Sequence, residues 1–289
     1  MAGEQGRTFG AESMIAPLHD VLVKKPGEAF GRAFDDPIHG FLHPVDLAKA
    51  QGQHERLCEI LANLGVTVHE LAAERPGPDL VYTFDPALVC DRGAVVLRPG
   101  KPSRLGEEAV LEAWLAARGI PTAGRIEAPG TVEGGDTFWL RPDLFCIGRS
   151  LRTNNAGARQ LAEIVGRDVR VFDVPYAGGP GECLHLLSVV SPVTEEMVVV
   201  FLPLLPSGLH ELLRELEFEL VPVPEEEFVS LGCNVLTVRP GVVIVAEGNP
   251  SVRRALLDRG CEVHAFDASE IGVNGGGGPT CLTRPIFRG

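Results

Sequence analysis

The chain has 289 residues, of which 45% are apolar and 22% charged, a balance that suits a folded globular protein with one core or two small domains and excludes a disordered chain. Its net charge of −13 and the lack of any Lys/Arg cluster argue against a nucleic-acid partner; negative potential favours a cationic small molecule instead.

Leu18 to Lys24 alternates as a strand does and stops at Lys25-Pro26-Gly27. A polar loop containing glycine and proline runs to Phe41. Apolar residues at helical spacing follow from Asp46 to Leu64, closed by Gly65, and Val66 to Leu71 reads as a strand. The second stretch has a strand at Leu80 to Val89, a turn at Asp91-Arg92-Gly93, a strand at Ala94 to Arg98, a helix at Gly106 to Arg118 and a strand at Thr122 to Glu127. The order returns at Gly134 to Leu140, Leu144 to Gly148, the helix Asn155 to Val165 and Val169 to Val174, with Asn154 placed to cap that helix. A fourth copy takes Cys183 to Val190, Met197 to Leu202, the helix Ser207 to Glu217 and Glu219 to Val223. The fifth takes Cys233 to Val238, Val242 to Glu247, a helix opened by Asn249-Pro250-Ser251, and Glu262 to Phe266.

A unit of one hairpin, one helix and one strand cannot cover its own apolar face and must stack on copies of itself. Five copies of about fifty residues fit a closed ring. The predicted fold is therefore an α/β propeller of five pseudo-symmetric ββαβ repeats, a single domain over residues 1–289. No run of apolar residues is long enough to span a membrane and Met1 to Met14 has no apolar leader core, so the expected location is the cytoplasm. Seven cysteines, an odd number without a CxxC pair and mostly inside apolar runs, suit reduced thiols better than disulfides or a zinc site.

On the predicted first strands stand Asp85, Glu133, His185 and Asn234, and Cys281 continues the series after the glycine run Gly275 to Gly278; their spacings are 48, 52, 49 and 47 residues. Equivalent positions in repeats around one axis point to one place. Two carboxylates, an imidazole, an amide and a thiol would converge there, which is a constellation for chemistry. Taken alone each has a blander reading: Asp85-Pro86 a turn, His185 a core histidine, Asn234 a backbone partner at a repeat junction. Asn234 is left out of the catalytic set. His39 and His43 beside Asp35 and Asp36 could suggest a metal, but Gly40 and Pro44 favour a solvated loop.

The words Tyr82-Thr83-Phe84-Asp85-Pro86, Glu133-Gly134-Gly135-Asp136, Arg152-Thr153-Asn154, Leu184-His185-Leu186, Gly232-Cys233-Asn234-Val235 and Thr280-Cys281-Leu282, in this order and spacing, resemble the guanidino-modifying enzymes of the pentein fold. That superfamily includes dimethylarginine dimethylaminohydrolases, arginine deiminases and amidinotransferases. Arg98-Pro99-Gly100 with Ser103-Arg104 resembles the dimethylarginine branch most. The resemblance implies Cys281 as nucleophile on a guanidinium carbon, His185 as acid and then base, and Glu133 and Asp85 as acceptors of the guanidinium N–H groups. It implies Arg104 and Arg152 as a clamp on the substrate carboxylate, although Arg104 could equally pair with Glu107 or Glu108 on the surface. Residues 27–41 would form a lid. Neither a metal nor an organic cofactor is implied, and the partner is a guanidino amino acid; a homodimer is compatible with the reading.

Two positions depart from the family. Phe84 stands where the dimethylarginine branch usually has an acid, and Leu187 where deiminases and amidinotransferases usually have Asp. Less acid and more apolar surface favour a substituted guanidine, with Phe84 placed among the substrate-binding residues. The expected activity is hydrolysis of Nω-methylated arginine to citrulline and a methylamine. Arginine deiminase, dihydrolase or amidinotransferase activity is the alternative within the superfamily; a catalytically silent propeller that binds arginine-like ligands is the alternative outside it.

Overall fold

A computed structural model describes residues 8–73, 77–181 and 184–289. Cys183, the expected start of the fourth repeat, and residues 1–7 of the leader reading lie outside the described residues. Five three-stranded sheets carry the fold. The first stretch holds β1 (Leu18–Val23), the short helix α1 (Glu28–Gly31), the long helix α2 (Leu47–Asn63) and β2 (Thr67–Glu70). The second is β3 (Ala87–Cys90), β4 (Gly93–Val96), α3 (Glu107–Ala116) and β5 (Thr122–Arg125). The third is β6 (Thr137–Arg141), β7 (Leu144–Arg149), α4 (Asn155–Val165) and β8 (Asp168–Asp173). The fourth is β9 (Val190–Pro192), β10 (Met197–Val200), α5 (Ser207–Glu215) and β11 (Glu219–Pro222), followed by one extra turn, α6 (Glu225–Phe228). The fifth is β12 (Leu236–Arg239), β13 (Val242–Ala246), α7 (Pro250–Asp258) and β14 (Glu262–Phe266), and the last strand is β15 (Arg284–Arg288).

In units two to five the first two strands pair antiparallel, and the helix returns the chain so that the third strand pairs parallel to the second. The first unit has no leading strand of its own. β15 supplies it, pairing antiparallel with β1 while β2 runs parallel on the other side. The row of repeats thus returns to its start, in agreement with the five-repeat α/β expectation.

Burial follows strand position. β4, β10 and β13 are buried at every residue, whereas the third strands β5 and β8 are mostly exposed or half-buried. The middle strand is covered on both faces, which explains its unbroken Val/Ile character. Two helices start at a side chain that satisfies a free N–H group: at α2 Asp46 accepts from Lys49 N–H at 3.0 Å, and at α4 Asn154 accepts from Gly157 N–H at 2.8 Å. Among the described residues no helix is long and apolar enough to cross a membrane.

The first strands are shorter than the sequence suggests. The predicted strand Leu80 to Val89 overlaps a 3-10 turn at Pro78–Val81 and becomes strand only at Ala87–Cys90; Gly134–Asp136 and Leu186–Ser188 are also 3-10 turns. The backbone there is occupied by tight local bonds in place of a ladder: Asp136 N–H donates to Glu133 O at 3.0 Å, and Ser188 N–H to His185 O at 3.0 Å. The five aligned residues therefore sit on turns two to five residues ahead of their strands, all at the same end of the hairpins.

Candidate active site

These turns bring Asp85, Glu133 and His185 together, with one polar atom of each within 4.8 Å of the others. Glu133 is fully buried. Its Oε1 accepts from the backbone N–H groups of Gly100 and Lys101, both at 3.0 Å, and its Oε2 faces His185 Nε2 at 2.9 Å and Arg152 Nη1 at 3.1 Å. An ionised carboxylate only accepts, so the Nε2 position carries the proton. Burial opposes ionisation of Glu133, but the hydrogen bond and charge of His185, with Arg104 and Arg152, hold its carboxyl well below the usual range.

Asp85 Oδ1 accepts from Gly135 N–H at 2.8 Å and its Oδ2 from Arg104 Nη1 at 2.5 Å. A Cβ on Gly135 would lie 2.4 Å from His185 Nδ1. Only a residue without a side chain lets the imidazole settle onto this turn. Behind it, Asp136 is fully buried and accepts from Leu186 N–H at 3.0 Å and Ser150 Oγ–H at 2.6 Å. Burial pushes the Asp136 carboxyl up to about 6, against the His185 charge and the Ser150 and Thr153 hydrogen bonds.

The two arginines expected to clamp a carboxylate rest instead on the site's own acids. Arg104 is buried and, besides Asp85, donates through Nε and Nη2 to Glu107 Oε2 at 2.9 and 2.7 Å. The Arg104–Glu107 pairing weighed for the surface thus exists in the interior. Arg152 is the more exposed of the two and lies on Glu133. The Asp85–Glu133–His185 group is close enough to hold a cation, but guanidinium groups already oppose both carboxylates.

Cys281 is half-buried in the turn that follows the glycine run. Its Sγ receives a hydrogen bond from Asn234 Nδ2 at 3.2 Å, and Asn234 Oδ1 accepts from Thr280 N–H at 3.0 Å, which fixes the amide's orientation. Phe84 N–H donates to Cys281 O at 3.2 Å, tying the thiol's turn to the segment that carries Asp85. Cβ atoms on Gly277 and Gly278 would meet the Tyr82 ring at 2.5 Å and the Asn234 amide at 2.6 Å. The run therefore serves close approach, and flexibility is not its reason. The other described thiols are protected: burial pushes Cys58 and Cys146 up to about 12 and raises Cys90, Cys233 and Cys261.

Phe84 is buried, with its ring 3.8 Å from the Arg284 guanidinium carbon and on the wall of a cavity between sheets. Residues 27–41, the expected lid, fold into α1 and two 3-10 turns, and Phe30 and Phe41 meet edge to face at 5.1 Å. The segment touches both sides of the site: Lys101 Nζ reaches His39 O at 3.2 Å, and just beyond it Asn274 Oδ1 accepts from the N–H groups of Leu42 and His43 at 3.0 Å each. His39, expected in a solvated loop, is partly covered and lies 3.5 Å from Asp79. Asp79 and Lys101, unnoticed in the sequence, form a pair at 2.8 Å. Burial alone would raise the Asp79 carboxyl, but His39, Arg104 and Lys101 pull it down to about 2. No local motif marks that pair. Asn234 did carry a signal, its register with the other four.

Five ββαβ units with acids, an imidazole and a thiol gathered on the turns ahead of the hairpins define a protein of the pentein class. The model of the arginine deiminase family matches residues 73–205 and 203–288. An N(G),N(G)-dimethylarginine dimethylaminohydrolase from Pseudomonas aeruginosa is 33% identical over 260 residues, covering 89% of this chain and 95% of its own. The structure of the P. aeruginosa enzyme, a cysteine-to-serine mutant complexed with citrulline, superposes with a TM-score of 0.80 at 29% identity, over 94% of this chain and 100% of that one. The N-terminal domain of ArgZ, an arginine dihydrolase from cyanobacteria, shares the fold at a TM-score of 0.82 and 19% identity, over 93% and 97% of the two chains. The chain belongs to the arginine deiminase family of enzymes.

Proposed function

We propose that this protein is a cysteine-dependent hydrolase of a guanidino C–N bond, converting an Nω-methylated arginine to citrulline and a methylamine, as one catalytic domain over residues 1–289 working in the cytoplasm. The observation that carries this reading is Glu133, a buried carboxylate shared between His185 and a guanidinium and close to Asp85, whose own segment bonds to the turn of Cys281. A substrate guanidinium can take the place of the Arg152 side chain on Glu133 and present its carbon to the thiol.

In the first half of the reaction the Cys281 thiolate adds to the guanidinium carbon, forming a C–S bond. Imidazolium His185 gives its proton to the methylated nitrogen, the C–N bond breaks, and the amine leaves with the electron pair. The S-alkylthiouronium that remains is cationic and stays between Asp85 and Glu133. His185, now neutral, takes a proton from water as its oxygen adds to the same carbon. Collapse breaks the C–S bond, returns the thiolate, and leaves the ureido group after the hydroxyl proton is lost to solvent. Arg152, the less buried of the two arginines, turns from Glu133 to the substrate carboxylate, while Arg104 stays on Asp85 and Glu107. Phe84 acts from beneath Asp85 as apolar support.

The family match keeps arginine itself as the competing substrate. The test is incubation of the purified protein with asymmetric dimethylarginine, monomethylarginine and arginine, with mass analysis of small products and a Cys281→Ser control. Citrulline with a methylamine, absent in the control, is the expected result. Ammonia release from arginine alone would replace this reading with a deiminase, and turnover undiminished in Cys281→Ser would overturn the thiol mechanism.

A further inference from the structure

β15 carries Arg284 and Arg288, both buried; the pairing of β15 with β1 is irregular between them, and the two reach different neighbours, Arg284 the Phe84 segment and Arg288 strand β12. A guanidinium keeps its charge at neutral pH, so a buried one needs a counter-charge. Neither arginine forms a salt bridge with an acid among the described residues. Arg284 donates from Nη2 to Phe84 O, while Arg288 donates to Ala16 O and Thr237 O at 2.7 Å each. Both Nε–H groups are buried with no partner. The acid whose charge reaches Arg284 is Asp85, and Asp85 is already bonded to Arg104. Burial pulls both guanidinium groups down to about 9, with no acid beside Arg288 to offset it.

Arg284 and Phe84 wall a cavity of about 30 Å³ that lies between the second and third sheets and is covered by residues 11–14. A water needs about 10–15 Å³ of such space, so the room suits an ion little larger than water. Ser13 on the same wall has an oxygen that already accepts from Ile15 and Ala16 N–H at 3.1 and 2.9 Å, which leaves its O–H to donate. Glu12, the acid on the wall, forms no ion pair with Arg284. We propose that this cavity binds a small monovalent inorganic anion, a halide or an ion of similar compactness, held by Arg284 Nε–H and the Ser13 hydroxyl. Because Arg284 also holds Phe84 O and Phe84 N–H holds Cys281 O, the anion braces the strand beneath the thiol and Asp85.

Thermal unfolding tests this, with sodium bromide exchanged stepwise for sodium gluconate at constant sodium and pH. Gluconate is too large to enter. Wild type should gain about 2–4 °C for each tenfold rise in bromide above its dissociation constant, and Arg284→Met should respond equally to both salts. An equal response of wild type to bromide and gluconate, or the same bromide gain in Arg284→Met, would overturn the proposal. Should Arg284→Met fail to fold, anomalous scattering from wild-type crystals in bromide decides: a peak within hydrogen-bonding reach of Arg284 Nε supports the site, and a cavity holding only water overturns it.

Discussion

Asp136→Asn probes how burial shapes this site, because the change is nearly isosteric and the carboxyl is wholly enclosed. Its pKa rises on folding from 3.8 to about 6, chiefly through burial. A carboxyl raised in the folded state binds more protons folded than unfolded between those two values, so stability falls as pH climbs through that window and the cost is complete above it. About two pKa steps at roughly 1.36 kcal/mol each make the cost about 3 kcal/mol at neutral pH. The amide carries no such term. It keeps an oxygen for Leu186 N–H, and a rearranged bond to Ser150 costs about 1 kcal/mol at every pH. Urea denaturation of both proteins from about pH 4 to pH 7 should show the variant gaining about 3 kcal/mol relative to wild type across the range. A difference that stays constant with pH would refute the reasoning.

Three further substitutions act on the chemistry. Asn234→Ala removes the donor 3.2 Å from Cys281 Sγ; a hydrogen bond to a charged sulfur contributes about 1.5–3 kcal/mol, so kcat/KM should fall roughly 10- to 150-fold, with slower alkylation of the thiol by iodoacetamide. Gly135→Ala places a methyl 2.4 Å from His185 Nδ1, and the displaced imidazole should lower kcat by about 10²-fold, read by single-turnover kinetics against unchanged far-ultraviolet circular dichroism. Arg152→Lys replaces a planar fork with a point charge. Steady-state kinetics should show KM raised about tenfold with a smaller change in kcat, the pattern of weakened carboxylate binding.

The repeat was legible because the units announce themselves by local chemistry: Asn154 as a cap, Asp91-Arg92-Gly93 as a turn, and apolar runs such as Val242 to Ala246 in the middle strands. The register of Asp85, Glu133, His185 and Cys281 was legible as a spacing. Their placement on turns was not, because Leu184, Leu186 and Leu187 are buried as strand residues are, while the turn that replaces the ladder is made by backbone bonds no pattern of side chains reveals. Asp79, Lys101 and the buried state of Arg104 escaped for a related reason. The Asp79–Lys101 and Asp85–Arg104 pairs join residues 22 and 19 positions apart, and sequence spacing cannot say which acids a given cation meets or whether a near pair such as Arg104–Glu107 is buried.

Those long-range pairs bear on what the site accepts. Asp79, Asp85, Glu107, Glu133 and Asp136 are all buried within one bonded network, while Lys101, Arg104 and Arg152 are the cations that answer them and His185 adds a charge only when protonated. Burial pushes the Glu107 carboxyl up to about 8, which leaves it protonated at neutral pH; with the other four carboxyls ionised they still outnumber the three fixed cations, and buried excess negative charge is costly until something positive enters. A free arginine-like substrate brings a guanidinium and an ammonium against one carboxylate, a net gain of one positive charge. Neutral analogues such as citrulline lack that charge, so under the proposed reaction the imbalance that favours a guanidinium would weaken the hold on a ureido product.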